Sequence, residues 1–239
     1  MERLLEGIDL VIFDKDGTLI EFHRMWRDWV GDLGDRIELV TGRPFRSALF
    51  ELMGVDPIRG TIAPHGLLAA TPMSRLRALV VAAVAHEGAT AADAETAVEA
   101  AWHPPDPVEL ARPTTDLRTL FQGLVARGIR IAVATSDDRD PTERTLAALG
   151  IADLVSAIAC ADDGRPVKPA PDAVLHLAAT VGVAPGRTAV VGDAPADMVM
   201  GRAAKAGLVI GVLTGVGDAV RLGGTADVVL GSIAELLPA

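Results

Sequence analysis

The chain of 239 residues contains no tyrosine, one cysteine and only 3% aromatic residues. Because the lone cysteine, Cys160, cannot form an intrachain disulfide, we expect a cytoplasmic protein. No apolar run reaches the length of a membrane-spanning helix, and charges interrupt the first apolar residues, so neither a membrane anchor nor a secretory signal is expected. With so few aromatic residues, the core must consist mainly of small aliphatic side chains.

Positive charge is also scarce relative to negative charge. The formal net charge is −10, and the isoelectric point is about 4.9. An acidic chain of this kind binds nucleic acid and anionic membranes poorly, and we predict neither as a partner. A phosphorylated ligand would be repelled at long range as well, so any phosphate site must be locally positive.

The most informative stretch is a strand-like segment at residues 8–13, apolar except for Asp9, which is followed by the sequence DKDGT at 14–18. An apolar, β-branched run bounded by glycine predicts a buried parallel strand. Alternation along an extended chain returns Asp16 to the side of Asp14. Carboxylates at the carboxyl end of such a strand lie where open α/β sheets bind ligands. Because neighbouring anions repel each other, the pair indicates a metal site, a catalytic site or both.

The rest of the chain divides into a helical segment and an alternating one. Helical spacing without strand-like alternation predicts an all-helical insert at 20–107. Strands then alternate with helices, and one helix is predicted to begin with Asp140 as its N-cap residue and Pro141 as its first helical residue. We therefore predict an α/β fold in which residues 1–19 and 108–239 form a doubly wound parallel sheet that carries an inserted all-helical domain.

Three further polar segments accompany the predicted strands. They are Thr135-Ser136 after the strand at 129–134, Lys168 in a loop that contains prolines, and Asp193 with Asp197 after the strand at 188–191. Strands of one parallel sheet share their carboxyl edge, so Asp14, Thr135 and Asp193 can meet there. Each residue alone also has an ordinary explanation as a turn, helix-cap or surface residue.

In order and character these segments resemble the four motifs of the haloacid dehalogenase-like hydrolase superfamily, mostly phosphatases, whose first motif is DxDGT. The helical insert lies where that family carries a cap, as in the phosphoglycolate phosphatase-like branch. The resemblance implies that Asp14 is a nucleophile that forms an aspartyl-phosphate, that Asp16 is the general acid and base, and that Lys168 offsets negative charge. It also implies Mg²⁺ held by Asp14, Asp193 and the main-chain carbonyl of Asp16, with Asp197 in support.

The resemblance further implies where phosphate would be held. The Thr135 hydroxyl and the backbone N–H groups that follow it would bind phosphate oxygens, with Ser136 as a secondary candidate. Backbone N–H groups at Gly17 and Thr18, beside the nucleophile, could do the same. Lys168 would contribute the positive charge that this acidic chain needs at a phosphate site.

The helical insert is expected to close over a small phosphorylated metabolite and to exclude bulk water. Its candidates for contact with a second anionic group of the substrate are Arg24, Arg43, Arg46, Arg59 and His65. Each of these could equally lie on a solvated helix face. We expect the protein to act as a monomer or a homodimer.

Two alternatives stay open beside a phosphatase. A β-phosphoglucomutase-like mutase would share the nucleophile and the cap, although Thr18 replaces the valine common in that subgroup. A non-catalytic phosphate-binding module is the other alternative, and the presence of all four motifs argues against it. A phosphonoacetaldehyde hydrolase would need a lysine in the cap, and residues 21–102 contain none.

Overall fold

The computed structural model describes residues 4–58, 60–63, 66–71, 73–103, 106, 108 and 111–237, without the side chains of residues 22, 24, 25, 69, 70 and 74. The chain forms two compact units. The sheet unit comprises Met1–Phe22 and Asp106–Ala239, and the helical unit comprises His23–Pro105. Among the described residues, no helix combines the length and the apolar character needed to cross a membrane.

Among the described residues, the helical unit contains five helices. They are α1 (Phe22–Thr41), α2 (Arg46–Met53), α3 (Leu67–Ala70), α4 (Met73–His86) and α5 (Ala91–Ala101). Trp29, Leu33 and Ile37 recur at helical spacing in α1 and are all buried. The Trp29 ring meets Trp102 edge-on at 5.3 Å between centroids, and its indole N–H donates to the His103 carbonyl (2.7 Å). This unit therefore has an apolar core of its own.

The described part of the sheet unit contains six parallel strands, and this confirms the predicted doubly wound α/β fold. They are β1 (Leu10–Phe13), β2 (Arg130–Ala134), β3 (Ala157–Ala159), β4 (Thr188–Gly192), β5 (Leu208–Val212) and β6 (Val228–Leu230). Their order is β3-β2-β1-β4-β5-β6, and every neighbouring pair is parallel. The strand order reverses between β1 and β4. In doubly wound sheets, ligands bind in the crevice that opens at this reversal, beyond the carboxyl ends of the strands.

Helices cover both faces of this sheet. They are α6 (Leu117–Ala126), α7 (Arg139–Ala148), α8 (Asp172–Val181), α9 (Pro195–Ala203) and α10 (Ala219–Gly223). Val11 and Phe13 of β1 pack on one face, where Phe13 stacks on Phe121 of α6 at 5.3 Å. Leu10 and Ile12 pack on the other face with apolar side chains of α8 and α9. A strand buried on both faces must be apolar at every position, which explains the unbroken run before Asp14.

Helix α7 begins at a different residue from the one predicted. Asp138, not Asp140, is the N-cap residue, and Asp140 lies within the first turn. The backbone N–H of Arg139 donates to the Asp162 carboxylate (3.0 Å), and its guanidinium pairs with Asp163 (2.7 Å). This tertiary partner replaces the local side-chain cap that the sequence suggested, so the prediction of Asp140 as N-cap is wrong.

Cys160 follows β3 directly, and only 7% of it is exposed. Burial raises the pKa of its thiol to about 11, so near pH 8 its thiolate is about 10²-fold scarcer than that of a free cysteine. We expect iodoacetamide to label the native protein at least about 10²-fold more slowly than the urea-unfolded protein. Similar labelling rates in the two states would contradict this placement of the thiol.

Candidate active site

Three carboxylates lie together at the carboxyl edge of the sheet. Asp14 follows β1, Asp193 follows β4, and Asp197 lies in the first turn of α9. One oxygen from each of the three lies within 4.8 Å of the other two. The topology explains this grouping, because β1 and β4 are neighbours and their carboxyl ends flank the crevice.

Lys168 joins this carboxylate group from the loop between β3 and α8. Its Nζ lies 2.5 Å from Asp14 Oδ1 and 2.6 Å from Asp197 Oδ1, and only 8% of its side chain is exposed. Burial lowers the pKa of Lys168, but the carboxylates of Asp14 and Asp197 raise it more, and the pKa lies above its ordinary value. Lys168 is therefore a cation bound between the first and fourth sequence motifs.

Two carboxylates of this group, Asp14 and Asp193, resist ionisation when no metal is bound. Burial raises the pKa of Asp14 well above its ordinary value, and Asp197 and Asp193 add to this rise while Lys168 opposes it. Burial, followed by the charge of Asp197, raises the pKa of Asp193 to about 7. Repulsion among these carboxylates favours their protonation, and a bound cation would relieve that repulsion.

The donor set suits a hard divalent cation such as Mg²⁺. If all three carboxylates were ionised, the Lys168 ammonium would compensate one negative charge and leave two. Hard divalent cations prefer oxygen ligands of this kind. The two oxygens of Asp197 accept from Lys168 and from the backbone N–H of Ala194 (3.0 Å), which favours its predicted supporting role. The Asp16 carboxylate is not part of this group, so only its main-chain carbonyl could serve as the predicted ligand.

Asp193 is held by a loop that the sequence analysis did not select. The backbone N–H of Val216 donates to Asp193 Oδ2 (2.8 Å), and the Thr18 hydroxyl donates to Oδ1 (3.2 Å). A Cβ atom at Gly215 would lie 1.9 Å from Asp193 Oδ2, and one at Gly17 would lie 2.6 Å from the same carboxylate. Glycine is therefore required at both positions to leave room for Asp193. The signal in the sequence is the pair of closely spaced glycines after β5.

Asp16 has a different environment from Asp14. Its Oδ2 pairs with the ammonium of Lys15 at 2.7 Å, whereas its Oδ1 is buried and has no hydrogen-bond partner among the described residues. Burial raises the pKa of Asp16, and the nearby Asp137 adds to this rise while Lys15 opposes it. An unpaired buried oxygen is costly, so Oδ1 is available to a ligand or to a transferable proton.

The predicted phosphate-binding residues lie around the same edge. Thr135 follows β2 directly, and its buried hydroxyl oxygen accepts the backbone N–H of Asp137 (3.1 Å), which leaves its proton for another acceptor. Ser136 is exposed. The backbone N–H groups of Gly17 and Thr18 donate to carbonyls within their own loop. Phosphate binding by these four residues stays a prediction.

Two of the arginines selected in the insert, Arg43 and Arg46, have partners within the helical unit. Arg46 pairs with Asp35, and Arg43 donates to the Glu87 carbonyl (2.9 Å). The side chain of Arg24, together with Arg59 and His65, lies outside the described residues. Contact of any of these residues with a substrate therefore stays a prediction.

The curated proteins that share sequence with this chain include two phosphatases from different bacteria. Phosphoglycolate phosphatase from Rhodospirillum rubrum is 32% identical over 121 residues, which are 51% of this chain and 50% of that protein. The chain thus spans about half the length of this relative. Validoxylamine A 7′-phosphate phosphatase from Streptomyces hygroscopicus subsp. limoneus is 28% identical over 228 residues, which are 95% of each protein.

A solved structure shows the same fold, and a family model identifies the family. The crystal structure of a HAD family hydrolase from Deinococcus radiodurans, with bound phosphate and sodium, aligns with a TM-score of 0.67 at 21% identity. The alignment covers 96% of this chain and 93% of that chain. A family model described as haloacid dehalogenase-like hydrolase matches residues 8–205, which include Asp14, Lys168 and Asp193. The predicted membership is confirmed, and the chain belongs to the haloacid dehalogenase-like hydrolase family.

Proposed function

We propose that this protein is a Mg²⁺-dependent phosphatase that hydrolyses a small-molecule phosphomonoester through an aspartyl-phosphate at Asp14. The observation that carries the proposal is the buried pairing of Asp14 with Lys168 inside a group of three carboxylates. The names of the two phosphatase relatives and the phosphate bound in the Deinococcus radiodurans hydrolase support it.

In the first step of the proposed reaction, a carboxylate oxygen of Asp14 attacks the phosphorus atom, and the bond from phosphorus to the ester oxygen breaks. Asp16 donates its proton to the departing alkoxide, and the unpaired Oδ1 is the oxygen that we assign to this transfer. Lys168 compensates negative charge that Asp14 and the phosphoryl group bring together. The alcohol then leaves, and the phosphoryl group remains on Asp14.

In the second step, water attacks the phosphorus atom of the aspartyl-phosphate and gives a proton to Asp16. The bond between phosphorus and the Asp14 oxygen breaks, so inorganic phosphate leaves and both aspartates return to their starting forms. Mg²⁺, when held by Asp14, Asp193 and the main-chain carbonyl of Asp16, would neutralise charge and polarise phosphoryl oxygens. Asp193 is held for this role by Thr18 and Val216.

The proposed substrate is small and soluble, either phosphoglycolate-like or a sugar phosphate. The relatives' names include both phosphoglycolate and validoxylamine A 7′-phosphate. We propose that the sheet unit acts as the catalytic domain and that the helical unit acts as a cap domain that selects the substrate. We further propose that the protein acts in the cytoplasm as a monomer or homodimer, without a nucleic-acid or membrane partner.

The proposed function is tested by phosphate release from a panel of phosphomonoesters that includes phosphoglycolate, hexose phosphates and cyclitol phosphates. We expect release with Mg²⁺ that stops when EDTA removes the metal. Interconversion of sugar phosphates without phosphate release would establish the mutase instead. Mg²⁺ binding without turnover of any ester would establish the non-catalytic module.

The loss of kcat/KM in Asp16→Asn should depend on the basicity of the substrate's leaving group. An alkyl phosphate needs a proton from the enzyme, and we expect its kcat/KM to fall by about 10²-fold or more. Because 4-nitrophenolate leaves without protonation, kcat/KM for 4-nitrophenyl phosphate should fall by less than about tenfold. The same fold-loss for both esters would contradict the role of Asp16 as a general acid.

A further inference from the structure

Lys15 is buried beside the candidate active site, although no catalytic motif selects it. The chain has only three lysines, and just 1% of the Lys15 side chain is exposed. Its Nζ lies 2.7 Å from Asp16 Oδ2 and 2.9 Å from Asp137 Oδ2. Lysine is rarely buried to this extent unless it is paired, so this position calls for an explanation.

The charge state of Lys15 is set by its two partners. Burial lowers the pKa of Lys15, but the carboxylates of Asp16 and Asp137 raise it more, and the pKa lies above its ordinary value. Lys15 therefore stays cationic and keeps both contacts. Lys15 pairs with Asp16 as Lys168 pairs with Asp14, so each aspartate of the first motif has its own buried ammonium partner.

Lys15 also connects two loops at the carboxyl edge of the sheet. Its carbonyl accepts the backbone N–H groups of Leu19 (2.9 Å) and Ile20 (3.1 Å), which closes the loop after β1. Its ammonium reaches Asp137 in the loop after β2, where the Asp137 carbonyl accepts the Ala161 backbone N–H (2.9 Å). Asp137 is thus a fixed anchor for the Lys15 side chain, and through it for Asp16.

We propose that Lys15, anchored by Asp137, is a positioning residue for the proton transfer by Asp16. Its ammonium occupies Asp16 Oδ2 and fixes the carboxyl group, so that the unpaired Oδ1 is left to exchange a proton with the ester oxygen and with water. This inference rests on the proposed phosphatase function. It adds two residues, Lys15 and Asp137, whose side chains act on the reaction through Asp16.

The test compares kcat/KM for an alkyl phosphate and for 4-nitrophenyl phosphate in the full-length protein with Mg²⁺. For each ester, kcat/KM reports the steps up to release of the leaving group. In those steps only the alkyl ester needs a proton from Asp16. For Lys15→Met we expect a loss of about 10- to 100-fold on the alkyl ester and less than about threefold on the aryl ester. For Asp137→Asn we expect the same selectivity with a loss of about 3- to 10-fold on the alkyl ester.

Asp138→Asn is the matched control, because it makes the same change one residue away at an exposed side chain with no cap hydrogen bond. We expect Asp138→Asn to leave kcat/KM unchanged for both esters. Because 42% of the Asp137 side chain is exposed, Asp137→Asn should fold even if Lys15→Met does not, and circular dichroism checks both.

Three results are distinguishable. Equal losses on the two esters, or no loss in Asp137→Asn, would overturn the positioning role of Lys15. If Asp16→Asn alone shows the selective loss, the positioning role fails while the phosphatase mechanism stands. If the wild-type protein hydrolyses neither ester, nor any member of the phosphomonoester panel, the proposed function itself fails.

Discussion

Replacing Asp14 with asparagine should lower phosphate release by at least about 10³-fold for every substrate that the wild-type protein hydrolyses. The amide matches the carboxylate in shape and can still accept from Lys168 through its oxygen, but it is a far weaker nucleophile. Steady-state phosphate release with Mg²⁺ measures the effect. Because the aspartyl-phosphate is proposed for every substrate, the loss should not depend on the leaving group.

The fold of Asp14→Asn should survive the substitution. Burial and the neighbouring carboxylates already disfavour the charged form of Asp14, so a neutral side chain there should not lower the melting temperature of the metal-free protein. Asp140→Asn, which makes the same change at an exposed carboxylate, is the activity control. Substantial phosphate release by Asp14→Asn would contradict the assignment of the nucleophile.

Lys168→Met should have the second-largest effect. Lys168 provides the protein's own positive charge at both Asp14 and Asp197, so we expect phosphate release to fall by about 10²-fold or more. Removing one partner of a buried ion pair leaves the other uncompensated, and we expect the metal-free protein to lose about 3 kcal/mol of stability at neutral pH. Phosphate release and urea unfolding in EDTA measure the two effects.

The stability loss in Lys168→Met should grow with pH. Lys168 lowers the pKa of Asp14, so without it that pKa rises further above the value near 4 of the unfolded chain. The free energy of unfolding then keeps falling with pH beyond the pH at which it levels off in the wild-type protein. We expect a larger deficit at about pH 8 than at about pH 5.

Lys205→Met is the matched control for this prediction, since it removes an ammonium from an exposed lysine. It should change neither phosphate release nor the pH dependence of unfolding. A Lys168→Met deficit that is the same at both pH values would contradict the charge-compensation role of Lys168.

The sheet was predictable because each strand carries its own signal. The unbroken apolar run before Asp14 requires a strand covered on both faces, and the structure shows both coverings. The three polar segments after strands were selected because parallel strands end at one edge. The four motifs in order, together with the helical insert, were enough to identify the family.

The remaining features depend on contacts between distant segments, which a single sequence does not encode locally. The helix start at Asp138 depends on Asp162, and the role of Gly215 depends on the position of Asp193. Simple strand alternation places Lys15 on the side opposite the two aspartates, yet the turn that follows brings its ammonium to Asp16. The position of Lys15 between Asp14 and Asp16 was the feature of the sequence that could have predicted this contact.

The measurement that tests the central claim most directly is trapping of the aspartyl-phosphate. The wild-type protein, mixed with its best substrate and Mg²⁺, is quenched in acid within a turnover, reduced with borohydride and digested for mass spectrometry. We expect homoserine, the reduction product of the acyl phosphate, at position 14 and at no other aspartate. Reduction at another aspartate, or efficient turnover in which no residue is ever modified, would rule out Asp14 as the nucleophile.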